Sequence, residues 1–423
     1  MATVLFVTFI LLLIIQMPVA FSLAVASLIA LLWKGFPLVL VIQRMVSAAD
    51  SFILLAVPLF MLAGNLMVRS GIAQAIVDFA DSLVGFIRGG MAQVNILTSM
   101  FFGGISGAAV ADTSAVGSVL IPPMLKRGYD KGLTTSVTAA SSTLGVIIPP
   151  SIPMIIFGVV TGASVGRLFL AGVIPGILVG LTLMVVTDIL SRRLGYVATG
   201  RIKLKQLLIN FYRSFLALMM PVIIIGGIMF GIVTPTEAAV LAVLYAFVVG
   251  VFITRTIKLR HLPEIFTNSA ITTGVVMLMI TAASLYGLIL TQEQIPLKAA
   301  EFISQVTDNP VLVLFMMTVL YFAAGMILDL GANIIILVPV LYPTIKMLQI
   351  DPVHFGIVTV ISLAMGLITP PVGVCLFVAC GISKMSILKA SKAILPYLMA
   401  IVVIIILIIL VPDVALWLPN LIK

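Results

Sequence analysis

Charge is scarce in this chain. Only 9% of its 423 residues are Asp, Glu, Lys or Arg and 62% are apolar, where a soluble domain carries about 25% charge. Runs at 2–15, 18–33, 167–190, 215–233 and 394–411 are almost uncharged. Several approach the roughly 20 residues that cross a bilayer core. Cysteine is nearly absent. Cys375 and Cys380 both sit inside an apolar segment, which points to buried small side chains rather than a disulfide. Two histidines, His261 and His354, cannot build a metal-ligand cluster. No P-loop GxxxxGK[ST] occurs, so ATP is not implied. No HExxH or His/Asp/Glu constellation supports an intramembrane enzyme, and no motif asks for an organic cofactor. The alternating pattern of a membrane β-barrel is missing. No loop is long enough to form a soluble domain. The N-terminus lacks a basic n-region and an A-x-A site, so it is expected to be a membrane segment rather than a cleaved signal peptide. A net charge of +9 is spread between apolar segments rather than gathered in a patch, which excludes nucleic acid as a partner and leaves the lipid bilayer. The class implied is an all-α integral membrane protein.

What the chain does have is a repeat. Gly104 and Gly325, Pro122 and Pro343, Asp130 and Asp351, Gly145 and Gly366, Pro149-Pro150 and Pro370-Pro371, and Pro175 and Pro396 all stand 221 residues apart. Two membrane halves with breaks at matching places point to a secondary transporter whose site lies between the repeats.

The apolar segments read as 2–15, 18–33, 51–69, 91–125, 133–161 and 167–194, then 215–232, 236–254, 270–291, 310–348, 354–381 and 389–416. Polar or amphipathic stretches near 38–50, 71–88, 195–213, 257–268 and 293–306 read as interfacial helices or connectors. Segments 91–125 and 310–348 are too long for one crossing and too short for two with a loop. Each has small or polar residues in its middle, which suggests a re-entrant hairpin. With both hairpins returning to their own side, 17 of the 23 Lys and Arg residues fall on one face, Arg201 and Lys203 among them. Lys34, Arg44, Arg167, Lys298, Lys346 and Lys423 fall on the other. The positive-inside rule makes the first face cytoplasmic. The two halves are then inverted repeats. Strict inversion needs 2–33 to cross twice; a single long tilted helix is the alternative. The organisation expected is scaffold helices at 1–88, a hairpin and broken helix at 89–195, scaffold and interfacial helices at 196–306, and a second hairpin and broken helix at 307–423.

The breaks carry the chemistry. Proline lacks an N–H and clashes with the carbonyl four residues back. Pro149 therefore frees the carbonyl of Gly145, Pro150 that of Val146, and Pro153 that of Pro149. Pro370 and Pro371 free those of Gly366 and Leu367, and Thr369 adds a hydroxyl. Clustered neutral oxygens suit a hard monovalent cation. The half-helices starting near Ser151 and Val372 point positive ends at an anion. The bland alternative is a pair of ordinary proline kinks. The first tip, 103–114, holds Asp112, an aspartate at membrane depth with no Lys or Arg near in sequence. Such a group marks a functional site by default. A bound cation, backbone N–H groups, protonation or helix capping could satisfy it. Its repeat counterpart is Asn333, and the acid of the second tip is Asp329. Thr138 and Ser141, which recur as Thr359 and Ser362, are expected to serve close helix packing. Glu237 is expected to stabilise a helix start at Pro235.

At Val57–Gly64, Gly103–Thr113, Gly145–Gly158, Thr234–Ala239, Gly325–Asn333 and Thr369–Gly373 the chain resembles the large membrane subunit of TRAP (tripartite ATP-independent periplasmic) transporters, over nearly its whole length. The resemblance implies a sodium-driven, elevator-type importer of organic anions. It also implies a small membrane subunit and a periplasmic substrate-binding protein as partners. One sodium ion would sit among Ser106, Gly145, Ile147 and Pro150, another among Gly325, Asp329, Gly366 and Thr369. The anion would lie between the tips, with Ser106, Asp112, Ser151 and Asn333 as its candidate contacts. Overall the chain looks most like members that import sialic acid, with C4-dicarboxylates and other carboxylates as alternatives. A channel would share re-entrant hairpins, but it usually draws its pore from symmetric oligomers.

Overall fold

A computed structural model describes residues 1–198 and 204–421. Arg201, Lys203 and Lys423 lie outside them. Every regular element among the described residues is helical. Helices α1 (Ala2–Ile14) and α2 (Val19–Trp33) are separated by a turn in which Gln16 takes φ 63°, and they pack on one another. Residues 2–33 are therefore two short helices, not one long tilted one. An exposed helix α3 (Leu38–Ala49) leads through a tight turn to α4 (Ala56–Arg69) and α5 (Ile72–Val84).

The first hairpin consists of α6 (Gly90–Ser106) and α7 (Ala109–Lys126), turning at Gly107 and Ala108. The broken helix follows as α8 (Lys131–Ser142), α9 (Leu144–Ile147) and α10 (Ile152–Thr161), with the break at 148–151. The 29-residue α11 (Val165–Arg193) closes this half. Next come α12 (Leu204–Met229), α13 (Pro235–Val248), α14 (Leu262–Gln292) and α15 (Ile295–Val306). The second hairpin is α16 (Pro310–Gly325) and α17 (Leu330–Met347). The second broken helix is α18 (Pro352–Gly366) and α19 (Val374–Ser383). The chain ends with α20 (Ile387–Ala393), α21 (Leu395–Leu410) and α22 (Asp413–Leu421).

The 221-residue spacing reappears in the elements. Both ends of α7 and α17 obey it, as do the starts of α8 and α18. Local chemistry explains the shared starts. Asp130 caps α8 by accepting from the Leu133 N–H at 2.8 Å, and Asp351 caps α18 by accepting from the Val353 N–H at 2.6 Å. The breaks fall at the double prolines, whose Pro149–Pro150 and Pro370–Pro371 bonds are cis. Of the stretches expected to be interfacial helices or connectors, 195–213 and 257–268 run into longer helices, their parts from Leu204 and Leu262 being the first turns of α12 and α14. A helix that outruns the hydrocarbon carries its polar residues past it without breaking.

Six described helices are long and apolar enough to cross a membrane, or up to nine if each bent pair is one span. In the packing, α4 lies on α13, α14 on α2 and α3, and α12 on α5. Around the breaks the halves interlock. Helix α10 of the first half packs on α17 of the second, and α19 of the second packs on α7 and α8 of the first. This exchange brings the two hairpin turns toward each other.

Candidate functional site

The first tip lies against the first break. A Cβ on Gly103 would stand 3.0 Å from the Gly145 Cα, so the two backbones approach as only glycine allows. Gly107 turns the hairpin at φ 63°, its carbonyl accepting from the Ile152 N–H at 3.3 Å. The Pro150 carbonyl lies directly beside Gly107, and the Ser106 hydroxyl makes only a 3.5 Å contact with the Ala108 carbonyl. Gly145 and Pro150 thus meet the tip that carries Ser106, whereas the Ile147 carbonyl lies beside Gly172 of α11. Not every carbonyl freed by proline stays open. The Ser151 hydroxyl donates to the Val146 carbonyl at 2.6 Å.

The second tip repeats the arrangement one step out of phase. Gly325 backs onto Gly366, and a Cβ on Gly325 would lie 3.2 Å from the Gly366 Cα. Gly104, its repeat partner, instead faces Pro221 of α12. The Val372 N–H donates to the Met326 carbonyl at 3.1 Å, joining tip and break. Here too the freed carbonyls find partners. Gly366 accepts from the Thr369 N–H at 3.1 Å and Leu367 from the Cys375 N–H at 2.9 Å, while the Thr369 hydroxyl donates to the Met365 carbonyl at 2.7 Å. Each of these carbonyls keeps a second lone pair. Asp329 caps α17, accepting from the Gly331 N–H at 3.0 Å.

Asp112 is wholly buried in the first turn of α7 and caps nothing. Its Oδ2 accepts from the Ser99 hydroxyl at 2.7 Å, and the Ser99 oxygen lies 3.1 Å from the Ser141 hydroxyl oxygen. Asn95, one turn before Ser99 on α6, donates to Thr138 at 2.7 Å and accepts from Ser141 at 3.1 Å. Asp112 Oδ1 has no partner, and none of the ion pairs among the described residues involves it. The sequence reading missed Asn95 and Ser99. Their signal was an i, i+4 polar pair in an otherwise apolar arm. Thr138 and Ser141 also do more than pack, because they complete this network. Asn333 is equally buried, yet its amide donates to the Leu328 carbonyl at 3.0 Å and its Oδ1 is unpartnered.

Between the tips lies a cavity of about 360 Å³. Gly107–Val110 of the first tip and Asp329–Gly331 of the second border it, together with α10 and the α14 residues Thr272, Val275, Val276 and Met279. Ser106, Asp112, Ser151 and Asn333 do not line it. Asp112 faces the α6–α8 network, Ser151 is spent on capping α10, and Asn333 turns back to its own tip. Two other expectations, for Glu237 and the cysteines, hold. Glu237 completes a capping box with Thr234, and Cys375 and Cys380 are free and buried. No cluster of His, Cys, Asp and Glu able to hold a metal exists among the described residues.

The family model of the DctM component of tripartite ATP-independent periplasmic transporters matches residues 6–414. The chain belongs to that family. It is a TRAP large permease subunit, a multi-pass protein of the bacterial inner membrane. Membership implies a small membrane subunit and a periplasmic binding protein as partners. The permease is 38% identical to the sialic acid TRAP transporter large permease protein SiaM of Vibrio cholerae, covering 96% of this chain and 95% of that one. It is also 38% identical to the C4-dicarboxylate TRAP transporter large permease protein DctM of Pseudomonas aeruginosa, over 89% and 88% of the two chains. In fold it matches the YdaH transporter of Alcanivorax borkumensis with a TM-score of 0.64 at 15% identity, over 90% and 87% of the chains.

Proposed function

We propose that this permease is the membrane pathway of a sodium-driven importer, taking an organic acid anion handed over by a periplasmic binding protein. The observation that carries the reading is the meeting of both tips and both breaks around one cavity, with a fully buried aspartate beside it that lacks a basic partner. A buried charge without a partner is costly and marks a place for a compensating ion. The oxygen-only donor set at each tip fits a hard cation such as Na⁺, held in one case among Ser106, Gly145, Ile147 and Pro150, in the other among Gly325, Asp329, Gly366 and Thr369. Positive ions here would supply the charge an anion needs, because no basic side chain lines the cavity.

Alternating access follows from the inverted repeats. The hairpins and broken helices, 89–195 and 307–423, would slide as one body against 1–88 and 196–306. Helix pairs such as α4 with α13 and α10 with α17 pack within one set, while α5 on α6 and α15 on α17 join the two. Sialic acid is one candidate cargo. Equal identity to sialic acid and C4-dicarboxylate permeases gives it no preference over other carboxylates.

The test is uptake into proteoliposomes containing the complete transporter. Uptake should require a sodium gradient and both partner proteins. Equal uptake with potassium alone would refute sodium coupling. Steady conductance without saturable counterflow would favour a channel.

A further inference from the structure

The wall of the cavity between the tips restricts what can occupy it. Only two of its side chains carry polar atoms, Thr272 and Asp329. The Thr272 hydroxyl already donates to the Asn268 carbonyl of its own helix at 2.8 Å, and Asp329 already accepts from Gly331. The rest of the wall is aliphatic or thioether, including Val110, Ile156, Val275, Met279 and Leu367. A hydroxyl or amide turned toward such a wall exchanges water for nothing. A second carboxylate would have no basic side chain to meet, and a cation held at Asp329 would already be neutralised by that residue's own charge.

Resting on the anion-importer reading above, we infer that the substrate is a compact monocarboxylate with an apolar body, branched aliphatic or aromatic. Polyhydroxylated sugar acids and dicarboxylates fit this wall poorly. The two tips differ in a way that orients such a ligand. Asp329 caps the start of α17 and borders the cavity, whereas α7 begins at Ala109 with no side-chain cap and the acid of its first turn, Asp112, is turned away from the cavity toward Ser99. The carboxylate therefore faces the α7 start, where Ala109 and Val110 border the cavity, and the apolar body lies along α14. Val275 and Val276 are then specificity-determining residues.

The experiment is a thermal-shift titration of the purified membrane complex, this chain with its small subunit. The probes are 4-methylpentanoate, phenylacetate, succinate and N-acetylneuraminate, each in sodium and in potassium. One of the first two should half-saturate at a concentration at least about tenfold below that of the last two, the discrimination expected of a hydrophobic pocket. The shift should appear in sodium only. Val275→Thr with Val276→Thr keeps the side-chain volumes and adds two hydroxyls. It should shrink that preference by about threefold or more, because the wall then offers polar partners. Succinate or N-acetylneuraminate binding as tightly as the monocarboxylates overturns the inference while leaving the importer reading intact. A sodium-independent preference for the apolar acids would instead support the wall argument and remove the coupling ion. No shift with any acid in either salt removes the importer reading and this inference with it.

Discussion

The two hairpins share a backbone plan and divide its chemistry differently. Each half carries one carboxylate at its tip region, but not at matching positions. In the first half the acid is Asp112, sunk beneath the surface, and the outer position is Ala108. In the second half the outer position, 221 residues on, is Asp329, and the sunken one is Asn333. The surroundings follow suit. With the one-residue phase shift of that arm, buried Met317 and Tyr321 stand where Asn95 and Ser99 serve Asp112. The duplicated fold thus offers one buried and one cavity-facing negative charge. Duplication supplied the geometry, and substitution made the two halves chemically unequal.

Exchanging the sunken residues strikes at this difference most strongly. Asn333→Asp would bury a carboxylate beside the Leu328 carbonyl, with none of the hydrogen bonds that Ser99 gives Asp112. Its expected cost is about 3–5 kcal/mol, the range for an uncompensated buried charge. Thermal unfolding of the purified protein measures it. Asp112→Asn should keep the protein folded yet lower sodium-coupled uptake at least about tenfold, or 1.4 kcal/mol of coupling. If both exchanges were harmless, the halves would be equivalent and the buried acid would have no part in transport.

The glycine contacts separate the halves next. A Cβ at Gly366 would run into the Gly325 backbone, whereas one at Gly145 would meet the Ala108 carbonyl at 3.2 Å. Gly366→Ala should therefore destabilise by about 1–3 kcal/mol, as overpacking does. Gly145→Ala should stay within about 1 kcal/mol, since alanine gains helix propensity there. Gly145→Leu cannot be absorbed and should stop transport. Equal melting temperatures for the two alanine variants would show that the contacts are alike.

Much of this plan is legible in the sequence because prolines, glycines and charges in apolar surroundings leave few interpretations. The double prolines locate the breaks, and the small residues of 103–114 locate the first tip. The repeat spacing transfers each assignment to the other half. The limits are physical too. Spacing predicts that Gly104 and Gly325 play the same part, yet Gly104 meets Pro221 while Gly103 takes the Gly145 contact. A helix face is decided by its neighbour, and the halves do not have the same neighbours. Freed carbonyls are visible from proline positions, but their capture by Ser151 and by the Cys375 amide requires the chain to turn back on itself. The cavity wall on α14 is the hardest to foresee. Thr272, Val275 and Met279 look in sequence like any lipid-facing residues, because a dry cavity and a lipid tail select the same side chains.

The smallest expected effects lie at the tips themselves, and they can be sorted by what each substitution leaves behind. Asp329→Ala removes both a charge and a helix cap, the cap alone being worth about 1 kcal/mol. Asp329→Asn keeps a capping acceptor for the Gly331 N–H and removes only the charge. If Asp329 meets a coupling ion, both variants should raise the sodium concentration for half-maximal uptake by a similar factor, about threefold to tenfold. Only Asp329→Ala should also lower the melting temperature. Ser106→Ala should raise the sodium requirement less, since a neutral hydroxyl contributes less than a carboxylate to holding a cation and its only contact is a long one. Sodium titrations of uptake measure all three. A normal sodium requirement in Asp329→Asn, with loss confined to Asp329→Ala, would make Asp329 a cap and nothing more, and the buried Asp112 would then be the transporter's sole acidic contact for the ion.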